Sequence, residues 1–363
     1  EEGTFLDDML RRDFTINTLA IRLNKNYFGE LIDTFGGIDD IEKGIIKTPT
    51  DPNKTFSDDP LRMLRAVRFS CELNFDIDMD TQNSIKKNSN RLEILSSERI
   101  SDEINKILMS QTPSNGFRNL EKLNLLNHIL PELIDLKGVE EVEGQTHKDN
   151  FYHTLEVVDN ISRNTENVWL RWAALLHDIG KAPTKKFSKK IGWTFHGHEF
   201  IGSKMVKKIF TRLSLPLNEK LKYVQKIVMM SSRPIIISED IVTDSAVRRL
   251  IYDAGDDIDD LLTLCEADIT TKNMKKSLIY QNNFKIVRQK IKDVEERDSI
   301  RNFQPPITGE IIMAYFNIKP CKEIGLIKEK IKNAILDGDI RNDYKEAHDL
   351  MIKTGKSLGL KDE

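Results

Sequence analysis

Apolar residues fall at two spacings along this chain. Before Pro49 they tend to alternate: Ile16, Leu19, Ile21 and Leu23 lead toward a strand, and Tyr27 to Phe35, closed by Gly36-Gly37, reads as strand and turn. Nowhere else is the β signal convincing. From Ser57 the period lengthens to that of helices, with Leu61, Leu64 and Val67, then Ile100, Ile104, Ile107 and Leu108, sharing faces. Amphipathic stripes of globular length follow at Leu120 to Leu130, Thr154 to Ile161, Val168 to Leu176, Lys220 to Met230 and Ala246 to Tyr252. The pattern predicts a mainly α protein of bundle-like architecture, with its few strands near the start.

Punctuation divides this pattern. Pro49 to Pro52, the polar Gly138 to Asn150, and Asn302 to Gly309 with its Pro305-Pro306 pair suggest four blocks, 1–50, 51–140, 141–301 and 302–363. No fixed-period repeat or low-complexity tract is present, which argues against a solenoid. At 363 residues the chain exceeds one compact core, and 39% apolar content rules out a disordered polymer. Nothing approaches the ~20-residue apolar span of a membrane helix, so a soluble protein with no membrane partner is expected. The net charge of -3 gives no global attraction to nucleic acid, so phosphate contacts must be local. Lysine runs occur at Lys181 to Lys190 and at Lys272, Lys275 and Lys276; a solvated face explains either run as well as a ligand does. Cys71, Cys265 and Cys321 have no metal-knuckle or redox spacing and suit a reducing, cytoplasmic setting.

Chemistry concentrates in three places. Five of the seven histidines, His147, His153, His177, His196 and His198, lie within residues 147–198. His153 sits near the start of one expected helix and His177-Asp178 at the end of another, with Gly180 read as its C-terminal stop. Imidazole beside carboxylate suits a divalent ion of borderline hardness. His198 in Gly197-His198-Glu199, and Asp268 further on, offer additional ligands. Any one of these histidines alone is explained by a buried, hydrogen-bonded core role; the ordered set is what points to metal.

Second, Ser57 to Phe69 contains Asp58-Asp59-Pro60-Leu61-Arg62. In one reading Asp58 or Asp59 caps a helix, Pro60 opens it, and the arginines are solvated. In the other, Asp59 and Arg62, at i and i+3, share a helical face and set an acceptor beside a donor fork. The pairing edges of cytosine and adenine both offer an amino donor next to a ring-nitrogen acceptor, whereas guanine and uracil present the reverse. Such a pair would accept C and A without a template. Third, Arg11-Arg12-Asp13-Phe14-Thr15-Ile16-Asn17 places two guanidiniums, suited to triphosphate oxygens, near Asn17, which could bond a ribose hydroxyl. A charged strand edge is the alternative.

His153, then His177-Asp178-Ile179-Gly180-Lys181, then Asp268 resembles the HD phosphohydrolase superfamily. In chain order, Arg11 to Ala20, Asp33 through Gly36-Gly37 to Ile46, Asp58 to Phe69, Ser97-Glu98-Arg99-Ile100 to Leu108, the HD segment and Pro306-Ile307-Thr308-Gly309-Glu310 resemble the bacterial tRNA nucleotidyltransferase (CCA-adding) and poly(A) polymerase family, in its HD-containing branch. The resemblance covers essentially the whole chain. It implies a polymerase-β-like head (1–50), a helical neck that binds RNA and nucleotide (51–140), an HD domain with following helices (141–301) and a helical tail (302–363). It also implies CCA addition to tRNA 3′ ends from CTP and ATP with Mg²⁺. Arg12, Asp13 and Asn17 would hold the phosphates and sugar, and Asp59 and Arg62 would read the base. His153, His177, Asp178, His198 and Asp268 would bind a divalent ion for phosphate-ester hydrolysis, with His177 and Asp178 at its centre and 2′,3′-cyclic ends as one candidate substrate.

The sequence departs from the family twice. Asp58 stands where the family has Glu. The Gly-Ser turn and the Asp-x-Asp strand pair that hold the family's two catalytic metals do not occur ahead of Arg11, and Asp7 and Asp8 lack that strand context. With Glu1 in place of an initiator Met, the expectation is a chain lacking roughly a hundred residues of head, unable by itself to transfer nucleotides. Poly(A) polymerisation remains an alternative activity, and an RNA-binding remnant with a structural HD fold is an alternative of another class.

Overall fold

The computed structural model describes residues 3–239, 243–271, 273–298, 300–301 and 303–361; Lys272 lies outside them. Helices dominate. The chain divides into two units, Glu1–Met229 and Met230–Glu363. The division falls inside the stretch read as a single 141–301 block.

In the first unit the β content near the start is smaller than the alternation predicts. Thr15–Asn17 is one turn of 3₁₀ helix, and the strand pair consists of Ala20–Ile21 antiparallel to Leu31–Ile32, with Ala20 opposite Ile32. Turns and a cap consume the rest. The Tyr27 N–H bonds the Asn24 carbonyl at 2.9 Å, and the Asp33 carboxylate accepts from the N–H groups of Gly37 (2.7 Å) and Ile38 (2.9 Å). Those bonds open the Gly37–Lys43 helix where a strand end was expected. Strand pairing also appears where none was expected: Ile45–Ile46 runs parallel to Asp76–Ile77, and two hairpins join Glu141–Val142 to Gln145–Thr146 and Lys186–Ser188 to Gly192–Thr194. Strands of two or three residues are too short to display a period of two.

The helices begin earlier than Ser57 and break where backbone sterics require it. Pro52–Asp58 is one helix and Leu61–Leu73 the next. Asp59 between them is extended (φ -141°, ψ 102°) because it precedes Pro60, whose ring disfavours the α region for its neighbour. The stripe at Leu120 to Leu130 is likewise split. Pro113–Lys122 ends, Asn124 turns left-handed (φ 60°), the Leu125 N–H bonds the Leu120 carbonyl at 2.9 Å, and Leu126–Ile129 begins. Leu123, Leu125 and Leu126 are all buried, so the run of leucines is a packed corner and not a helical face.

Asn150–Ser162, Val168–Leu176 and Glu219–Met230 follow the predicted stripes within a residue or a few, and His198–Arg212 is a helix that no predicted stripe covers. Val168–Leu176 is central, with Leu170 to Leu176 all buried. It carries Arg171, 2% exposed, whose guanidinium donates to the carbonyls of Leu108, Ser110, Ser162 and Thr165 at 2.8–3.0 Å. One side chain thus ties the end of the Ser97–Met109 helix to the Asn150–Ser162 helix and to the turn that precedes its own.

All elements of the second unit, among the described residues, are helical. Asp244–Ala254 packs against Met274–Asp298 and Lys322–Asp337, and Lys322–Asp337 against Tyr344–Ser357. Asp244 receives Lys290 at 2.8 Å and Arg297 at 2.6 Å, and Asp337 receives Arg249 at 2.8 Å. Among the described residues no helix is long and apolar enough to cross a membrane.

Candidate functional site

Two adjacent helices and the turn after one of them build the His–Asp cluster. His153 lies one turn into Asn150–Ser162, whose start is capped by Asp149 through the Tyr152 N–H at 3.2 Å. His177 and Asp178 follow directly on the buried helix Val168–Leu176. One ligand atom from each of His153, His177 and Asp178 lies within 4.8 Å of the others, and the three side chains are buried (7%, 2% and 2% exposed). His177 Nε2 is 3.4 Å and His153 Nε2 3.7 Å from the same oxygen, Asp178 Oδ2. The His177 Nδ1–H donates to the Ala174 carbonyl at 2.8 Å, which turns Nε2 toward the carboxylate. His198, at the start of His198–Arg212, is oriented the same way: Nδ1–H donates to the Phe195 carbonyl at 3.0 Å, and Nε2 lies 3.7 Å from Asp178 Oδ1.

Gly180 has φ -76° and does not end the helix in the left-handed conformation expected of a stop; it instead precedes the short Lys181–Thr184 helix. Its glycine has another cause. A Cβ at Gly180 would lie 2.0 Å from the His198 carbonyl oxygen, so only glycine lets the His198 turn approach Asp178.

Burial would push the Asp178 carboxyl up, but the charge of His177 and the Lys181 ammonium outweigh it and hold the group well below the usual carboxylate range. Lys181 Nζ sits 2.6 Å from Asp178 Oδ2, and Lys148 Nζ 2.9 Å from His153 Nδ1. The donor set of two imidazoles, one oriented through its Nδ1–H, and an ionised buried carboxylate fits a divalent cation. The lysines add positive charge at its rim. Asp268 ends Ile258–Ala267 in the second unit and is not in the three-residue cluster.

The second candidate site lies among the start of the chain and the helices Pro52–Asp58 and Leu61–Leu73. A cavity of about 790 Å³ is lined by Asp7, Arg11, Lys54, Thr55, Asp58 and Arg62 among others. Arg62 is clamped: Nε meets Asp13 at 2.9 Å, and its two terminal nitrogens donate to the carbonyls of Thr55 and Arg11. Asp13 also takes Arg65 at 2.6 Å, so here it anchors arginines and is itself only 13% exposed at its side chain. Arg12 is exposed and paired with Asp8 at 2.7 Å. Asn17 closes the 3₁₀ turn.

The expected helical face shared by Asp59 and Arg62 is not present. Asp59 stands outside the helix, caps it through the Leu61 N–H at 3.1 Å, and is held by Arg99 Nη2 at 3.0 Å. Capping and site readings were alternatives in the sequence; here the capping contact exists and the carboxylate still reaches the surface. Sequence reasoning missed Arg99 as the partner, although it stands in the Ser97-Glu98-Arg99-Ile100 segment quoted above. Pairing across 40 residues leaves no spacing signal.

Fold and cluster together define a polymerase head followed by an HD domain. Residues 1–47 match the poly A polymerase head domain, 74–136 the probable RNA and SrmB-binding site of polymerase A, and 150–273 the HD domain. In these three matches, in chain order, the chain resembles the tRNA nucleotidyltransferase and poly(A) polymerase family in its HD-containing branch. It is 29% identical to the A-adding tRNA nucleotidyltransferase of Deinococcus radiodurans over 92% of this chain and 76% of that one. It is 36% identical to the multifunctional CCA protein of Shewanella frigidimarina over 60% of this chain and 51% of that one. The chain thus spans about half the length of the multifunctional CCA proteins it matches. Its fold is that of the Bacillus stearothermophilus CCA-adding enzyme solved with CTP (TM-score 0.63, 20% identity, 99% of this chain and 76% of that one). It is similar also to the Thermotoga maritima enzyme solved with tRNA (TM-score 0.55, 24% identity, 98% and 74%).

Proposed function

We propose that this chain carries the nucleotide-binding, RNA-binding and HD parts of a tRNA nucleotidyltransferase that builds the 3′-terminal CCA from CTP and ATP. The observation that supports it best is the 790 Å³ cavity, which gathers Arg11 of the first motif and Asp58 and Arg62 of the second around one space. Arg11, Arg12 and Lys54 supply charge for triphosphate oxygens, and Asn17 is assigned to the sugar. Asp13 acts through Arg62, fixing its fork. Asp59, steadied by Arg99, accepts the amino group of cytosine or adenine while Arg62 donates to the adjacent ring nitrogen. Guanine and uracil leave both groups facing a like partner. Mg²⁺ is the ion assigned to nucleotidyl transfer.

Nucleotide binding tests the base-reading assignment directly. CTP and ATP should compete for the cavity more strongly than UTP and GTP, and Asp59→Ala should narrow that preference about tenfold while sparing overall triphosphate affinity. Equal affinity for all four nucleotides in the unaltered chain would sink the base-reading assignment. A second reading, addition of the terminal A alone, is favoured by the Deinococcus relative, whose match covers most of this chain. A protein with the paired carboxylates, offered tRNA lacking all three terminal nucleotides, separates the two: CTP incorporation marks CCA addition.

The HD cluster is assigned a metal-dependent phosphohydrolase role, with phosphate esters such as 2′,3′-cyclic ends as substrates. His153, His177 and Asp178 would hold the ion, with His198 beside the second carboxylate oxygen. A divalent ion bound there lowers the pKa of a water and polarises a phosphoryl oxygen. Lys181 and Lys148 neutralise the ester's oxygens, and the buried helix beneath keeps the donors in place.

A further inference from the structure

Within the first unit, the Ser97–Met109 helix stands between the nucleotide cavity and the HD helices and bonds to both. Arg99 and Glu103, at i and i+4, share one of its faces. Ser101 and Asn105, at the same spacing, share the opposite face, because two residues along a helix turn through about 200°. The first face meets the base-reading segment. Arg99 holds Asp59 at 3.0 Å, and Glu103, 3% exposed, accepts at 2.6 Å from Arg68 of Leu61–Leu73, the helix that also carries Arg62.

The second face meets the HD part. Trp172, fully buried on Val168–Leu176, donates from Nε1 to Asn105 Oδ1 at 2.7 Å, and the Ser101 hydroxyl donates to the carbonyl of Leu213, which ends His198–Arg212. Between these faces Ile104 and Ile107 are fully buried, and Arg171 grips the carbonyls of Leu108 and Ser110 at the far end. In so closely packed an element, a displacement on the HD side is carried through to Arg99. A buried indole N–H needs some acceptor in any fold. This acceptor stands six residues from Arg99, on the helix that steadies Asp59.

We propose that Ser101 and Asn105 are positioning residues for base selection: gripped by the HD helices, they fix the helix that sets Arg99 on Asp59, so the choice of base depends on HD residues that touch no nucleotide. The inference rests on the base-reading assignment. It is tested on the full chain by titrating CTP and UTP with magnesium. Asn105→Ala and Ser101→Ala should each weaken CTP binding about fivefold and leave UTP, held by its triphosphate, unchanged, whereas Asn105→Asp keeps an acceptor for Trp172 and should retain the preference. Equal weakening of both nucleotides, no change in either alanine variant, or the same loss in Asn105→Asp would overturn the inference. If the unaltered chain binds the two nucleotides equally, the base-reading assignment fails, and amide exchange decides the positioning by itself. The Leu61 N–H, bonded to Asp59 Oδ1 at 3.1 Å, should then exchange about fivefold faster in Asn105→Ala while the Gly37 N–H, bonded to Asp33 Oδ1, keeps its rate. Unchanged exchange at Leu61, or a rise at both amides, ends it.

Discussion

At the scale of single residues, Asp178 governs the HD cluster because one of its oxygens faces two imidazoles and a lysine at once. An entering ion must share or displace the Lys181 contact. Asp178→Asn should therefore abolish both bound metal and phosphate-ester hydrolysis, read by metal analysis and assay of the same preparations. Lys181→Met should tighten metal binding while slowing hydrolysis; weaker metal binding in that variant would mean the lysine does not compete for the carboxylate. Arg171 makes the contrasting point. Burial lowers its pKa, yet four carbonyls rely on its guanidinium. Arg171→Met should cost about 3 kcal/mol or more in urea unfolding, because each buried acceptor left unmatched costs roughly 1–3 kcal/mol; a loss under about 1 kcal/mol would show that the carbonyls find other donors. Nothing in the sequence separates Arg171 from a solvated arginine. His177-Asp178 could be read from it because an adjacent imidazole and carboxylate at the end of an apolar run is an unusual local pattern.

At the scale of elements, helix stripes were legible wherever one face was apolar over several turns, as in Val168–Leu176, which the structure reproduces residue for residue. The helix start at Pro60 was one of the two readings of Asp58-Asp59-Pro60, but the Asn124 break was not legible, since a left-handed corner interrupts a stripe without changing its hydrophobicity. Between helices, Asp244 joins Asp244–Ala254 to Met274–Asp298. Hydrogen bonds from Lys290 and then Arg297 lower its carboxyl to about 2. A depressed carboxyl stabilises the fold above the unfolded-state value and loses that contribution as pH falls through the folded one. The gap in stability between the natural chain and Asp244→Asn should thus be full above about pH 5 and shrink through about pH 2, closing near pH 1. Its size should be at most about 1 kcal/mol, since the group is solvent-accessible and screened. Acid titrations of both proteins measure it, and a gap at pH 2 as large as at pH 5 would contradict the assignment.

At the scale of the whole molecule, the net charge of -3 gave no sign of a nucleic-acid partner, and the cationic groups proposed for phosphate are clustered locally: arginines around one cavity, lysines around one cluster. What the sequence determined by itself was the order of the modules, the helical character and the identity of the candidate ligands, because these depend on residue type and short-range spacing. The tertiary structure alone decided which groups meet. It placed His153 beside His177 across two helices, set Arg99 on Asp59, and made Asp13 an anchor for Arg62. Those outcomes depend on chain reversals and on contacts between residues far apart in sequence, and no local period encodes them.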